Sequence, residues 1–426
     1  MQSNPLYALI SGRIFYGWAI VATGFVAMFV SGAGQSHTFS VFLEPVSSEL
    51  GLSHTEWSSA YGIATLAAAF GLPHMGRLTD RYGPKRMLLI VAVLLGIACL
   101  CFGALSGFLA LGVVFAVLRF LGQGSVMLNA SNLVSRWFDV RRGFALSLMA
   151  LGFSLSMALH PPLAQWLIEL VGWREAWIWM GVSTWLLLLP VVWLLAINRP
   201  SDVGDHADGV VRTDARGPAG SAMRGLTRHQ ALRTSAFYII CGGLLSLSGL
   251  VTALHLFQVA IFTSHGLDSA VAARVFPVSA ITMVVCVPVI GKLLDRAPTH
   301  WMFAFGQLVM MGSLFAASQV TSIGTALVYA LVFGLNNAVT LTLFSFVWPR
   351  FFGLAHLGSI QGLGQMIGVV GASLGALPLG LAWDRLGSYD ETLMALMLLP
   401  AVCVVLAFFL RPPVDQLNDG EAQSGA

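Results

Sequence analysis

Ionisable side chains inside the apolar stretches of this sequence are few: Arg119, His37, His160 and His255. Asp80, Asp139, Asp295 and Asp384 fall at the ends of such stretches, so no carboxylate lies deep in one. A guanidinium in the middle of a hydrocarbon layer costs at least roughly 2.5–3.5 kcal/mol on insertion scales. Arg119 must therefore face a water-filled cavity or hold backbone carbonyls between packed helices. Imidazole changes charge within about pH 5–8, so His37 and His255 can load protons, or attract an anion once charged. Equally, each can cap a helix end at an interface. His160 precedes Pro161 and Pro162, which free backbone carbonyls and kink a helix, and its reading is structural. Asn129, Asn132, Asn336, Asn337, Gln258 and Gln361 are uncharged candidates for lining a cavity or for bonding between helices.

Other chemistry lacks its parts. The sequence has no paired carboxylates, no His-x-x-x-His and no cysteine pair of ligand spacing. Cys99, Cys101, Cys241, Cys286 and Cys403 all lie in apolar runs and read as small core residues. An enzyme is therefore not expected, nor a metal or cofactor. No nucleotide-binding motif occurs, so any work done must draw on an ion or solute gradient.

A second group of residues forms a charged turn, Gly76-Arg77-Leu78-Thr79-Asp80-Arg81-Tyr82-Gly83-Pro84-Lys85-Arg86, partly repeated as Gly291-Lys292-Leu293-Leu294-Asp295-Arg296. Gly76 and Gly83 suit close approach or a tight turn. Asp80 can pair with a neighbouring arginine or face a helix N-terminus, where negative charge gains roughly 0.3–1 kcal/mol. A contact made only when one side is closed acts as a gate latch. The gating candidates are thus Gly76, Asp80, Arg81, Gly83, Arg86, Asp295 and Arg296. The bland alternative is that these charges anchor loops at lipid headgroups.

The elements that must position these residues follow from composition. Apolar residues make up 57% of the 426 and charged residues 10%, too few for a soluble surface, which needs about a quarter charged. Runs of about 20 apolar residues recur, each able to cross roughly 30 Å of hydrocarbon as a helix. Twelve spans are expected, near 16–43, 54–76, 86–106, 108–133, 143–169, 174–196, 235–263, 270–291, 300–319, 324–347, 357–383 and 390–411. The first is too long for a cleaved leader and reads as an uncleaved span. Eighteen of the 22 Lys and Arg fall at the termini or in the even-numbered loops. Both termini are then cytoplasmic, in a multi-pass protein of the cytoplasmic membrane.

Residues 197–234 are polar, of mixed charge and without periodicity, and read as a partly disordered cytoplasmic linker; 412–426 read as a cytoplasmic tail. The bodies on either side, 1–196 and 235–411, echo one another. His37 recurs as His255, Pro162 as Pro378 and Arg136 as Arg350, at offsets of 218, 216 and 214, beside 215 for the charged turn. Matches in one order at nearly one offset indicate a six-plus-six duplication.

Over about 16–411 the chain resembles the major facilitator superfamily, most specifically at Gly76–Arg86. Tyr16-Gly17-Trp18, Arg141-Arg142-Gly143 and Trp173-Arg174-Glu175-Ala176 are similar to its monocarboxylate-porter and oxalate/formate-antiporter branch. The resemblance implies two six-helix bundles around a cavity that opens to each side in turn, a latch role for the charged turn, and a link between Arg119, with glycines after it, and proton coupling. The sequence departs from the branch where it places its charges in spans 8 and 11. Met283 to Gly291 carry no Arg or acid, and no Lys or Arg lies between Arg350 and Arg385.

The expected fold is an all-α membrane protein of twelve transmembrane helices in two pseudo-symmetric six-helix bundles. The expected function is secondary transport of a small organic solute, a monocarboxylate among the candidates, with protons. A non-transporting sensor of the same fold and an anion exchanger without proton coupling are the alternatives. The expected partners are the solute, protons and the bilayer, with no nucleic acid and with the chain a monomer.

Overall fold

The computed structural model describes residues 7, 14–138, 141–209, 226–352 and 357–411. Among them every regular element is a helix. Eleven of these helical segments are long and apolar enough to cross a bilayer. The remaining expected span is His54–Tyr82, whose 29 residues would extend about 43 Å at about 1.5 Å each. It is less apolar because Ser58, Ser59, Tyr61 and Thr65 interrupt its aliphatic run.

The chain divides into two compact units, Met1–Ala215 and Arg216–Ala426. Each pairs its helices in the same pattern. In the first, Gly17–Val30 packs on Arg142–Val171, His54–Tyr82 on Phe108–Leu118, and Pro84–Gly103 on Trp173–Leu195. In the second, Ser235–Ser264 packs on Leu357–Gly375, Ser269–Arg296 on Ile323–Phe352, and Thr299–Ser318 on Leu398–Ala407. First meets fifth, second meets fourth and third meets sixth in both, as a duplicated bundle requires. Glycine permits the first-to-fifth contact on both occasions. A Cβ on Gly152 would run into the Phe25 carbonyl, and one on Gly375 into that of Gly249.

Two expectations change, and a third gains detail. Span 1 is not one helix: Gly17–Val30 passes into a 3₁₀ turn at Ser31–Gly34, and helix resumes only at Ser36–Phe39. The charged turn is mostly not a loop. His54–Tyr82 runs through Gly76, Asp80 and Arg81, and Pro84–Gly103 starts at once, so the turn itself is Gly83 at φ +84°. Proline suits the first helical position because its missing N–H has no partner there in any case. The start of the segment read as a linker is built. Pro200–Val203 and Ala207–Gly209 are 3₁₀ turns. They are anchored by Trp137 Nε1 donating to the Ile197 carbonyl at 2.9 Å and Asp208 N to the Trp137 carbonyl at 3.1 Å. Buried Trp137 supplies the polar handle that a run of small polar residues could not announce. The 412–426 tail lies outside the described residues.

Candidate functional site

The N-terminal unit places two irregular backbones against each other. Ser31-Gly32-Ala33-Gly34-Gln35 combines two glycines with small residues, which hold a helix weakly. Gln35 is extended, at φ −103° and ψ 149°. Opposite, the eight residues Arg119–Val126 wind as a π-helix, a form often found at functional sites. Gly34 and Gly122 bring the two together: a Cβ on Gly122 would sit 2.9 Å from the Gly34 Cα. Non-helical backbone at membrane depth is tolerated only where protein buries it or a cavity receives it.

Arg119 stands at the start of the π-helix and is 3% exposed. Its Nε donates to Thr65 Oγ1 at 3.1 Å and one terminal nitrogen to the Gly34 carbonyl at 3.1 Å. The guanidinium carbon lies 4.8 Å from the centre of the Tyr61 ring. These partners are all neutral: a hydroxyl, a carbonyl freed by the break in span 1 and an aromatic face. The cation is thus oriented by three elements, its charge unmatched by them.

His37 follows the break and is buried at 1% exposure. Its Nε2 lies 3.4 Å from Ser156 Oγ, and its ring packs edge-on against Phe153. Ser156 Oγ is 3.2 Å from His160 Nδ1 in turn. His255, the repeat counterpart of His37, is buried in the other unit between Phe276 and Phe333.

The uncharged candidates divide. Asn129 accepts from Thr79 Oγ1 at 2.8 Å and donates to the Ser125 carbonyl at 2.8 Å, tying span 4 to span 2. Asn132 accepts from Arg136 Nε at 2.9 Å. Gln258 donates to the Ala272 carbonyl at 3.3 Å and accepts from Tyr329 at 3.4 Å, bridging spans 7, 8 and 10. Asn337 donates to the Phe333 carbonyl at 2.9 Å, one turn back. Asn336 differs: it is fully buried, and neither its amide nitrogen nor its oxygen has a hydrogen-bond partner. Gln361 lies on Leu357–Gly375, but its side chain, like that of Asp295, is outside the described residues.

At the charged turn, Gly83 meets the Asn198 side chain, which would lie 2.9 Å from an added Cβ. The close approach expected of Gly76 is absent: nothing stands within 4 Å of a Cβ there. Asp80, Arg81 and Arg86 are exposed, with Arg81 over the Tyr82 ring. Burial and neighbouring Arg199 hold Arg136 below the usual guanidinium range, while Asp80 and Asp202 oppose that shift. Arg296 closes the last turn of Ser269–Arg296.

Sequence reading missed Thr65, Tyr61 and Ser156, because an ordinary hydroxyl or ring carries no signal until another helix brings a cation or imidazole to it.

A Major Facilitator Superfamily model matches residues 24–376. The chain belongs to that superfamily. Monocarboxylate transporter 13 of Bos taurus is 28% identical over 88% of this chain and 85% of its own. The 4-hydroxybenzoate transporter PcaK of Pseudomonas aeruginosa is 25% identical over 95% and 94%. The crystal structure of a bacterial homolog to the human lysosomal transporter Spinster shares the fold, with TM-score 0.69 and 15% identity over 92% of this chain and 95% of that one. As a major facilitator protein, the chain is a multi-pass membrane transporter and not an enzyme. It moves small solutes by secondary active, alternating-access transport.

Proposed function

We propose that this protein carries a small organic carboxylate together with protons across the cytoplasmic membrane, with both termini in the cytoplasm. The observation that carries the reading is Arg119, a buried cation whose hydrogen-bond and ring partners are all neutral. A carboxylate entering beside the break in span 1 would complete it. The Met283 to Gly291 stretch of span 8 and the whole of span 11 hold no Arg or Lys, which shifts the burden of anion recognition toward the N-terminal unit. The relatives' names point the same way, since monocarboxylates and 4-hydroxybenzoate share the carboxylate and little else. His37, one turn past Gly34, supplies a titratable group near the same place.

Asp80, Arg81 and Arg86, with Asp295 and Arg296 in the second half, serve as the cytoplasmic latch. Charge contacts made only in the closed state bias the equilibrium toward the outward-open form. Asn336 is the C-terminal unit's contribution to the solute path. A buried amide with no partner costs about 1–3 kcal/mol, and a passing solute or water offsets that cost.

The test is uptake into proteoliposomes under an imposed pH gradient, using lactate and 4-hydroxybenzoate as probes. Gradient-driven accumulation, lost in Arg119→Gln, is expected. Accumulation indifferent to the pH gradient would remove the proton claim. Transport of uncharged analogues in preference to both acids would remove the carboxylate claim.

A further inference from the structure

We infer that His37, Ser156 and His160 form a two-station proton relay across spans 1 and 5, with His160 as the proton acceptor for His37. This rests on the proton-coupled reading above. His37 Nε2 lies 3.4 Å from Ser156 Oγ, and Ser156 Oγ lies 3.2 Å from His160 Nδ1. The same Nδ1 is also 3.2 Å from the Ser156 carbonyl. That double contact is the decisive feature. An unprotonated Nδ1 accepts from the hydroxyl; a protonated Nδ1 donates to the carbonyl. His160 is satisfied in either state, as a relay terminus must be.

The transfer balances. A doubly protonated His37 donates its Nε2 proton to Ser156 Oγ while the Ser156 proton passes to His160 Nδ1. His37 is left neutral with its proton on Nδ1, the serine hydroxyl is restored, and His160 carries the charge with protons on both nitrogens. Ser156 is fully buried, so bulk water does not substitute for it.

The surrounding sequence keeps this chain of atoms open. Gly32 lies beneath it in the broken stretch of span 1. A Cβ there would collide with Ser156 Oγ and approach His160 Nδ1 to 2.7 Å. Phe153 and Phe29 flank the two imidazoles. His160 also lines a groove of ≈ 500 Å³ between spans 5 and 6, flanked by the exposed side chains of Leu163, Trp166, Trp179 and Leu187, with Ser183 its other polar lining residue. None of the residues lining that groove besides His160 is titratable. On the His37 side, the carbonyl of Gly34, three residues back along the chain, holds Arg119. The relay therefore begins three residues from the carbonyl that holds the proposed solute cation.

The experiment needs no solute. The full chain with ¹⁵N-labelled histidine, in lipid nanodiscs, is titrated between about pH 5 and 8 while the ring nitrogens of His37 and His160 are followed by NMR. In the native protein the two rings should titrate as one coupled pair with shared steps. Ser156→Ala and Gly32→Ala should split them into independent curves, and Ser156→Thr should keep the coupling. Independent titration in the native protein, or coupling that survives Ser156→Ala, overturns the relay. In proteoliposomes, His160→Gln and Ser156→Ala should lose proton-driven accumulation of 4-hydroxybenzoate while solute counterflow persists. Coupled titration with no carboxylate transport in the native protein would leave the relay standing and sink the transport reading instead.

Discussion

Arg174, at the start of span 6, and Glu49, just before span 2, form an ion pair at 2.9 Å. Positions 216 later in the chain, Asp390 and His265 form another at 3.0 Å. The two halves thus staple the same pair of elements, the end of the first-helix region to the start of the sixth helix, with acid and base exchanged. The first staple is the more elaborate. Arg174 also donates to the carbonyls of Gly103 and Leu105 at 3.0 Å each, satisfying the end of span 3, and covers Trp173. Its partner's side chain is about half exposed, so the pair itself stabilises little, and the carbonyl caps carry more.

This arrangement sets a pH dependence. The Trp173 indole, then Arg174, hold the Glu49 carboxyl below the usual carboxylate range. A carboxyl whose folded pKa is lowered stabilises above its unfolded value, about 4.3, and the contribution is lost as pH falls through the folded value. The melting temperature of Glu49→Gln should therefore lie below the native value at neutral pH, with the gap closing below about pH 4. Arg174→Lys should cost more than Glu49→Gln, because an ammonium cannot span a carboxylate and two carbonyls at once. Thermal unfolding in detergent across pH checks both.

Arg119→Gln should keep the fold and lose gradient-driven carboxylate uptake. Arg119→Lys should recover little, since a point charge cannot reach Thr65 and Gly34 while lying over Tyr61. Removing one neutral partner by Thr65→Ala should weaken solute affinity by about tenfold, the effect of roughly 1.4 kcal/mol. Uptake assays on proteoliposomes of each variant decide it; full activity in Arg119→Gln would remove the cation from the site.

The two glycines of the charged turn should behave oppositely. Gly83→Ala must adopt φ +84° against Asn198 and should cost at least about 1–2 kcal/mol. Gly76→Ala adds a methyl in open space within a helix and should gain about 0.5–1 kcal/mol. Unfolding midpoints report both. A loss of transport in a stabilised Gly76→Ala protein would reveal a contact made only in another state of the cycle.

Asn336→Leu removes a buried amide whose two polar atoms lack partners. Stability should rise by about 1–3 kcal/mol while transport falls. Equal transport by the variant would show that the amide is idle.

Gly375→Ala should destabilise by about 1–3 kcal/mol, because its methyl would meet the Gly249 backbone and spans 7 and 11 would have to part. Gly152→Ala should do the same to spans 1 and 5. Thermal shift on each variant measures the two contacts separately.

Sequence alone determined the class of this protein and its duplicated plan. Burying apolar runs of that length requires a bilayer, and a bilayer leaves helices as the means of satisfying the backbone. Likewise, repeated offsets near 216 indicated a duplication, and the same helix pairing is seen in both units, while the cost of a cation in hydrocarbon singled out Arg119 before any partner was known. Only tertiary structure decided what each polar group does. Gln258 and Asn129 were spent on neighbouring helices, Asn336 was left without a partner, and His160 was joined to His37 through Ser156. Local sequence had no say in this, because a hydrogen bond between helices depends on which faces of separate helices meet. The break at Ser31–Gln35 lies between these cases. Its glycines were visible, but a glycine-rich stretch reads equally as close packing, and only the π-turn of span 4 against it shows that the backbone itself gives way.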